Sequence, residues 1–233
     1  MEFKLASNKA SWYYRKGEKV DTLADIGTDH GYVPLIALER ELCEKAIACD
    51  INKDPLDKAR LNAVLEGLGD ELEFRLGGGF EPLNINEANE VVIAGMGGNL
   101  IRDILEADIE KVKSVDCLVL VPAQNPEVLR EYLYNNNYEI IKEDLCFDEG
   151  IYYELFKVRS AEGNTTQLDS IYYEISPVLL RSRNPLMKGY LQFKLDEYNR
   201  ILGFITEATV SANKRREEVK EKINIISSML NYV

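Results

Sequence analysis

The residues best placed for chemistry lie in the segment 25–32, which reads D-I-G-T-D-H-G-Y. An apolar run at 20–24 precedes it and a helical pattern at 33–40 follows it, which predicts a buried strand, a glycine loop and a helix. In α/β nucleotide-binding folds, this turn holds the cofactor. The next strand pattern, at 46–49, ends at Asp50, where a carboxylate typically receives ribose hydroxyls. The spacing therefore predicts a site for a cofactor that contains adenosine.

The acidic character of the loop favours one adenosine cofactor over others. A dinucleotide site typically uses three glycines, G-x-G-x-x-G, which let a pyrophosphate approach the helix N-terminus. Here only Gly27 and Gly31 are present, and Asp25 and Asp29 flank Gly27. These carboxylates would repel a pyrophosphate but suit S-adenosylmethionine, which carries a sulfonium and an ammonium group. An ordinary strand-to-helix turn is the alternative interpretation.

The elements that must position these residues alternate between strand and helix. Strands are predicted at Leu72–Leu76, Glu90–Ala94 and Cys117–Val121, and helices at 55–66, 99–107 and 127–135. Asp54 and Asn125 are the predicted N-caps of two helices, each followed by proline. This alternation is typical of a parallel sheet with right-handed crossovers. The segments 138–147 and 151–159 break it, because two strand-like runs separated only by D-E-G form an antiparallel hairpin.

A seventh strand that runs against an otherwise parallel sheet is typical of the Rossmann-like class I methyltransferases. Beyond the hairpin, a polar connector leads into apolar residues at alternating steps of four and three, from Met187 to Ile205 and from Val219 to Val233. This spacing predicts an antiparallel helical hairpin, either a cap over the sheet or a projecting coiled coil. We therefore expect an α/β methyltransferase domain at 1–160 and an α-helical, coiled-coil-like domain at 161–233.

Composition excludes several classes of protein. The chain has 233 residues, is 45% hydrophobic and shows neither a membrane-spanning run nor a signal-peptide pattern, so we expect a cytoplasmic protein. His30 is the sole histidine, which excludes any metal site or catalytic triad that needs two. The four cysteines lack C-x-x-C spacing, which predicts free buried thiols and no bound metal.

Charge leaves the question of a nucleic-acid partner open. The net charge is −12, whereas proteins that bind phosphates are usually basic. The acidic residues, however, concentrate between 21 and 159, and the C-terminal part carries basic clusters at 181–188 and 214–216. These clusters predict either contact with a polyanion or ordinary solvated helix faces, and charge alone does not decide between them.

Three motifs connect the chain to a known family. D-I-G-T-D-H-G-Y-V-P at 25–34, I-A-G-M-G-G-N-L-I at 93–101 and G-I-Y-Y-E-L at 150–155 resemble the bacterial tRNA (adenine(22)-N1)-methyltransferases, the TrmK family. The resemblance runs over nearly the whole chain. It implies methyl transfer from S-adenosylmethionine to N1 of an adenine in the D-arm region of tRNA, and a helical domain that contributes to tRNA binding. The chain departs from the family at 121–125, where it reads V-P-A-Q-N, and in a predicted N-terminal helix at 5–15.

The residues expected to bind the cofactor come from loops at the ends of four strands. Asp25 is expected at the methionine end of the cofactor, Asp50 at its ribose and Met96 near its sulfonium. Gly78 and Gly79 either flank the adenine ring or only form a turn. The full predicted set is Asp25, Gly27, Thr28, Asp50, Ile51, Gly78, Gly79, Ala94, Gly95 and Met96.

Three further residues are expected to act on the target base. Adenine N1 carries a lone pair in the neutral base, so catalysis mainly requires placement of N1 against the methyl group without water. N1 lies on the Watson–Crick edge, so the adenine must be unpaired or flipped. Asp29 is expected to accept from the N6 amino group, Tyr32 to stack on the base and His30 to position the loop or contact the base. Alternatively, Asp29 caps the following helix and His30 is a hydrogen-bonded turn residue.

Three functions are open at this point. The favoured one is an S-adenosylmethionine-dependent tRNA (adenine-N1)-methyltransferase, a monomer with tRNA as its partner. The second is a methyltransferase that modifies a small molecule or a protein, and the third is a non-catalytic adapter that has kept the cofactor fold. The basic clusters of the tail favour the first over the second. The intact set of Asp25, Gly27 and Asp50 argues against the third.

Overall fold

A seven-stranded mixed sheet lies at the centre of the computed structural model, which describes residues 19–233. The predicted helix at 5–15 lies outside the described residues. The strands are β1 (Val20–Ile26), β2 (Cys43–Asp50), β3 (Leu72–Leu76), β4 (Glu90–Ala94), β5 (Cys117–Val121), β6 (Tyr138–Asp148) and β7 (Ile151–Ser160). Their order is β3-β2-β1-β4-β5-β7-β6. Neighbours among β1 to β5 are parallel, and β7 is antiparallel to both β5 and β6. The predicted fold class is confirmed.

Helices connect the parallel strands, as the alternation predicted, except between β3 and β4, which a loop at 77–89 joins. They are α1 (Tyr32–Glu39), α2 (Lys53–Glu66), α3 (Gly98–Ala107), α4 (Ile109–Ser114) and α5 (Pro126–Asn135). One predicted cap is wrong and the other is confirmed. Helix α2 begins before Asp54, with Asn52 at its N-cap, whereas Asn125 occupies the N-cap of α5 as predicted, with proline in the first turn and without a side-chain hydrogen bond. Helix α4 was not predicted, because its single turn carries no clear apolar period.

The core consists of an apolar layer on each face of the sheet. Adjacent residues of β4 point to opposite faces, so that Val91 and Ile93 pack against α3 and α5, whereas Val92 packs against the α1 side. Both layers bury all of β5 and all but the last residue of β4, which explains the apolar runs at 91–94 and 117–121. The sheet is therefore a rigid platform whose loops at the carboxyl ends of the strands are free to form a site.

Four helices follow the sheet and share a separate apolar cluster with it. They are α6 (Ser170–Glu174), α7 (Pro177–Ser182), α8 (Met187–Phe204) and α9 (Val210–Leu230). Met187 at the start of α8 and Ile226 near the end of α9 belong to the same cluster, so the two helices run antiparallel. Leu145 of β6 joins them. Conversely, Phe204 is 78% and Val210 is 88% exposed. The hairpin therefore caps the sheet at one end and projects into solvent at the other.

A buried ionic cluster fastens these helices to the sheet. Arg130 of α5 is fully buried and pairs with Glu143 at 3.0 Å and with Glu154 at 2.5 Å. It also donates to the carbonyl of Tyr173 in α6 (2.7 Å), and the Tyr190 hydroxyl of α8 donates to Glu154 (2.6 Å). The two carboxylates share one guanidinium, and Glu154 also accepts from the Tyr190 hydroxyl, so both carboxylates have buried hydrogen-bond donors. Glu154 is the acidic residue of the G-I-Y-Y-E-L motif, which gives that residue a structural role.

The cysteines behave as predicted. All four are buried and free of disulfides. Burial, with a smaller contribution from nearby carboxylates, raises the pKa of Cys43 and Cys49 to about 12, so both thiols are neutral. Within residues 19–233, no helix has the length and apolarity needed to cross a membrane.

Candidate cofactor and active site

A cavity of about 930 Å³ opens at the carboxyl ends of β1, β2, β3 and β4. Strand β1 lies between β2 and β4, so the chain order reverses beside it, which is where open α/β sheets bind ligands. Residues from four strand-end loops and from α3 and α4 line the cavity: Ile26, Gly27, Asp29, Asp50, Ile51, Asn52, Gly77, Gly78, Gly79, Phe80, Glu81, Ala94, Gly95, Met96, Leu100, Asp103, Ile104, Ala107, Asp108 and Lys111.

The loop after β1 turns sharply at two glycines. Gly27 and Gly31 have φ angles of 77° and 75°, which side-chain residues rarely adopt. A Cβ at Gly27 would lie 2.3 Å from the terminal methyl of Met96, and one at Gly31 would lie 2.9 Å from the Cβ of Ala59. The amides of Gly27 and Thr28 both donate to the carbonyl of Cys49 in β2. Because Gly27 and Gly31 have no side chains, Met96 and α2 are able to pack closely against the loop.

Asp50 is placed by the end of β2 as the sequence predicted. It lines the cavity, and its Oδ1 accepts from the amide of Asn52 at 2.8 Å. Ile51 also lines the cavity and is 71% exposed. The Asp50 carboxylate, which the amide of Asn52 orients, suits the hydroxyls of a ribose. The exposed Ile51 side chain beside it suits the edge of an adenine ring.

Asp25 is buried behind the residues that line the cavity. It is 3% exposed and does not line the cavity. Burial, reinforced by the charge of Asp50, raises the pKa of Asp25 from 3.8 to about 7. The Thr28 hydroxyl lies near enough to oppose this rise in part, yet its Oγ1 makes no well-formed hydrogen bond within the described chain. A buried carboxyl that titrates near neutrality is able to respond to a cationic ligand nearby.

The loop after β3 closes the far end of the cavity. The amide of Gly77 donates to the carbonyl of Asp50. Lys111 of α4 donates to the carbonyls of Phe80 (3.1 Å) and Glu81 (3.2 Å) and pairs with Asp108 at 3.1 Å. Sequence reasoning missed Lys111 because α4 itself carried no signal. Its contacts tie the glycine loop to a helix on the other side of the cavity.

The loop after β4 is fixed by the loop after β5. Gly95 donates to Val121, Ala123 donates to Met96, and Gly98 donates to Gln124. The V-P-A-Q-N segment, which departs from the family pattern, thus forms the support of the A-G-M-G-G loop. This contact places Ala94, Gly95 and Met96, three of the residues expected to bind the cofactor, on the cavity wall.

The three residues expected to act on the base lie around the cavity mouth. Asp29 lines the cavity, and its side chain is 57% exposed. It does not cap α1, because Gly31 occupies the N-cap position without a side-chain hydrogen bond. The rings of His30 and Tyr32 stack with centroids 5.4 Å apart, and His30 Nε2 lies 3.7 Å from Asp29 Oδ2. Neither His30 nor Tyr32 lines the cavity.

Nine of the predicted site residues therefore converge on one cavity and four lie just outside its lining. The four are Asp25, Thr28, His30 and Tyr32. No cluster of metal-ligating side chains occurs between residues 19 and 233. Acidic groups, bare glycine backbone and apolar side chains instead fit a cationic adenosine cofactor, and no triple-glycine cradle for a pyrophosphate is present in this loop.

Sheet order, the antiparallel last hairpin and the cavity at the switch point define a class I methyltransferase. The family model for TrmK, tRNA (adenine(22)-N(1))-methyltransferase, matches residues 23–228. The chain belongs to this family, whose members use S-adenosylmethionine as the methyl donor.

Individual relatives agree over nearly the full length of the chain. The chain is 29% identical to the tRNA (adenine(22)-N(1))-methyltransferase of Bacillus subtilis over 216 residues, which cover 90% of each chain. The crystal structure of the B. subtilis m1A22 tRNA methyltransferase TrmK matches at a TM-score of 0.81, with 25% identity and 97% of each chain covered. The structure of Streptococcus pneumoniae Sp1610 in complex with S-adenosyl-L-methionine matches at 0.81, with 25% identity and 98% of each chain covered.

Proposed function

We propose that this protein transfers the methyl group of S-adenosylmethionine to N1 of adenine 22 of tRNA. The observation that carries the proposal is the convergence of Asp29, Asp50 and the A-G-M loop (94–96) on one cavity at the switch point of a class I methyltransferase sheet. Membership of the TrmK family supports the choice of nucleotide.

The cofactor would lie along the carboxyl ends of four strands. Asp50 would accept from the ribose hydroxyls, while Ile51, Gly78 and Gly79 would flank the adenine ring. Gly27 and Met96 would leave room for the sulfonium, with the negative charge of Asp25 behind them and the Thr28 hydroxyl available as a partner. Bound S-adenosylmethionine supplies an electrophilic methyl group.

The protein then has to present the base and exclude water. Adenine N1 needs no general base, so a site with a single histidine is sufficient. Asp29 is exposed at the mouth of the cavity, where its carboxylate would accept from the N6 amino group and stabilise the positive charge that develops on the methylated base. The stacked rings of His30 and Tyr32 lie beside Asp29 and offer a surface for the flipped adenine.

The rest of the chain would hold the tRNA. We propose a division into a methyltransferase domain at 1–160 and a helical domain at 161–233, in which the projecting end of α8 and α9 carries Lys214, Arg215 and Arg216 toward the phosphates. Arg215 pairs with the exposed Glu218 at 3.4 Å and its side chain is 53% exposed, so its guanidinium is accessible. We also propose that the protein is a monomer and acts in the cytoplasm.

The test is direct. Unmodified tRNA transcript is incubated with methyl-labelled S-adenosylmethionine, and nucleoside mass spectrometry locates the label. We expect 1-methyladenosine at position 22 and no label in a transcript that carries guanosine there. Label in a protein or a small molecule would instead support the second function, and no labelled product at all would support a non-catalytic adapter.

A further inference from the structure

Three aromatic side chains form an exposed cluster at the turn of the β6–β7 hairpin, which we name the aromatic ledge (Phe147, Tyr152 and Phe193). Phe147 and Tyr152 are cross-strand partners with ring centroids 4.5 Å apart. The ring of Phe193 in α8 lies 5.6 Å from that of Tyr152. Phe147 is 49% and Phe193 is 37% exposed, so the cluster presents ring faces and edges to solvent.

The ledge is held in place by the helix beneath it. Tyr190 contacts Tyr152 edge to face, with centroids 5.5 Å apart. A Cβ at position 189 would lie 2.4 Å from the Tyr152 hydroxyl, so Gly189 is what allows the ring to lie against α8. Tyr190 in turn is anchored by its hydrogen bond to Glu154. The rings are therefore preorganised, which lowers the entropic cost of binding.

The ledge lies at the same edge of the sheet as the cofactor cavity. Strand β6 is antiparallel to β7, which is antiparallel to β5, so β6 ends at the edge where β1 to β5 end. The pairing of β5 with β7 stops at Phe156, and the hairpin extends beyond it to Ile151. Neighbouring strands are about 4.8 Å apart, so β7 lies roughly 10 Å from β4 and its A-G-M loop.

The charges around the ledge favour the face of a base over a phosphate. Asp148 and Glu149 in the hairpin turn are acidic and repel phosphate at the ledge itself. Lys188, next to Gly189, is exposed and makes no ion pair within residues 19–233. Its ammonium group is therefore able to contact a phosphate adjacent to a base on the ledge. Aromatic rings with a cation beside them are the usual means of holding unpaired nucleotides.

We infer that the aromatic ledge stacks an unpaired base of tRNA close to the adenine that is methylated. The inference rests on the proposed function, because it places the partner RNA on the edge where the flipped adenine enters the cavity. Such a contact would keep the strand open around the target, and it is tolerant of base identity because every base has a π-face.

The test compares Phe193→Ala with Leu65→Ala, which also removes a large exposed apolar side chain, at a 73%-exposed position on α2 outside both the cavity and the ledge. We expect Phe193→Ala and Phe147→Ala to raise the KM for tRNA about 5- to 100-fold, as loss of one stacked base predicts. Phe193→Tyr should restore the wild-type KM, and Leu65→Ala should leave it unchanged. Calorimetric affinity for S-adenosylmethionine and the melting temperature should not change with Phe193→Ala.

A second arm identifies the partner base. Synthetic tRNAs that carry an abasic nucleotide at each position flanking the target are methylated by wild type and by Phe193→Ala. At one position, the abasic substitution should lower methylation by the wild type and leave methylation by Phe193→Ala almost unchanged. The inference is overturned if Phe193→Ala and Phe147→Ala match Leu65→Ala, or if sedimentation shows that they dissociate a dimer. Failure of the proposed function is distinct, since wild type itself would then leave tRNA unmethylated.

Discussion

Gly98 lies so close to Asn125 that a Cβ on Gly98 would be 2.2 Å from the carbonyl oxygen of Asn125. The neighbouring Gly97 has open space around it and a φ of −70°, which any residue adopts. Two adjacent glycines of the same motif therefore have different roles. The contact between the loops after β4 and β5 requires that position 98 lack a Cβ, whereas position 97 has room for one.

The first prediction follows from this contact. Gly98→Ala should displace the 121–125 segment and shift the A-G-M loop, lowering kcat about 10-fold or more because misplacement of reacting groups is costly. Gly97→Ala should keep activity within about twofold. Methylation rates of both variants, with circular dichroism to confirm folding, check the prediction. Equal rates for the two variants would show that the loop contact does not matter.

The second prediction concerns Asp50. Asp50→Ala removes the carboxylate expected at the ribose and should weaken S-adenosylmethionine binding about 10- to 100-fold, since hydrogen bonds to charged groups are worth about 1.5–3 kcal/mol. Asp57→Ala, at an exposed pair with Arg60, is the matched control and should bind normally. Isothermal titration calorimetry measures both. Wild-type affinity in Asp50→Ala would remove the ribose role.

The third prediction concerns the pH dependence that Asp25 introduces. Its pKa of about 7 means that the carboxyl is largely neutral below pH 7 and ionised above it. A cationic cofactor binds the ionised form better, so affinity should rise by up to about tenfold per unit as pH approaches 7 and then level off. Asp25→Asn should bind more weakly and without this slope. A wild-type affinity that is flat from about pH 6 to 8 contradicts the prediction.

The same carboxyl should affect stability with the opposite sign. The folded pKa exceeds the unfolded value of 3.8, so the folded state holds the proton more tightly. The contribution of Asp25 to the free energy of unfolding is therefore largest at low pH and is lost as pH rises to about 7. Thermal melts of the cofactor-free protein should show Asp25→Asn gaining stability relative to wild type as pH increases through this range.

The fourth prediction separates base orientation from cofactor binding. Asp29→Asn keeps the shape of the side chain but removes its charge, so kcat for tRNA should fall about 10- to 100-fold while affinity for S-adenosylmethionine stays the same. Single-turnover methylation and calorimetry are the two measurements. Full turnover by Asp29→Asn would exclude an electrostatic role for this carboxylate.

The fifth prediction concerns the buried cluster around Arg130. Arg130→Met would leave Glu143 and Glu154 buried without their cation and should lower the free energy of unfolding by about 3–5 kcal/mol. Arg215→Met, at an exposed pair, should have little effect. Urea denaturation checks both. A stability of Arg130→Met close to wild type would show that the carboxyls are protonated or rehydrated without cost.

Much of this protein follows from local sequence. The bounds of β3, β4 and β5 could be predicted because β3 alternates apolar and charged residues and because β4 and β5 are largely apolar runs next to turn residues. Asp50 could be assigned because the end of a strand lies at the rim of the sheet. The hairpin was predicted from two strand-like runs separated by three residues. These features depend on neighbours along the chain, so the spacing of apolar residues and the types of residue in the turns predict them directly.

Contacts between distant parts of the chain were decided only by the tertiary structure. No sequence pattern showed that Lys111 binds the carbonyl of Phe80, that Arg130 is buried between two glutamates, or that Phe193 lies beside Tyr152. The sequence by itself determined the order of the elements, the kind of cofactor and the family. Packing decided which side chains meet, because burial, ion pairing and ring contacts depend on residues that the chain separates by 13 to 43 positions.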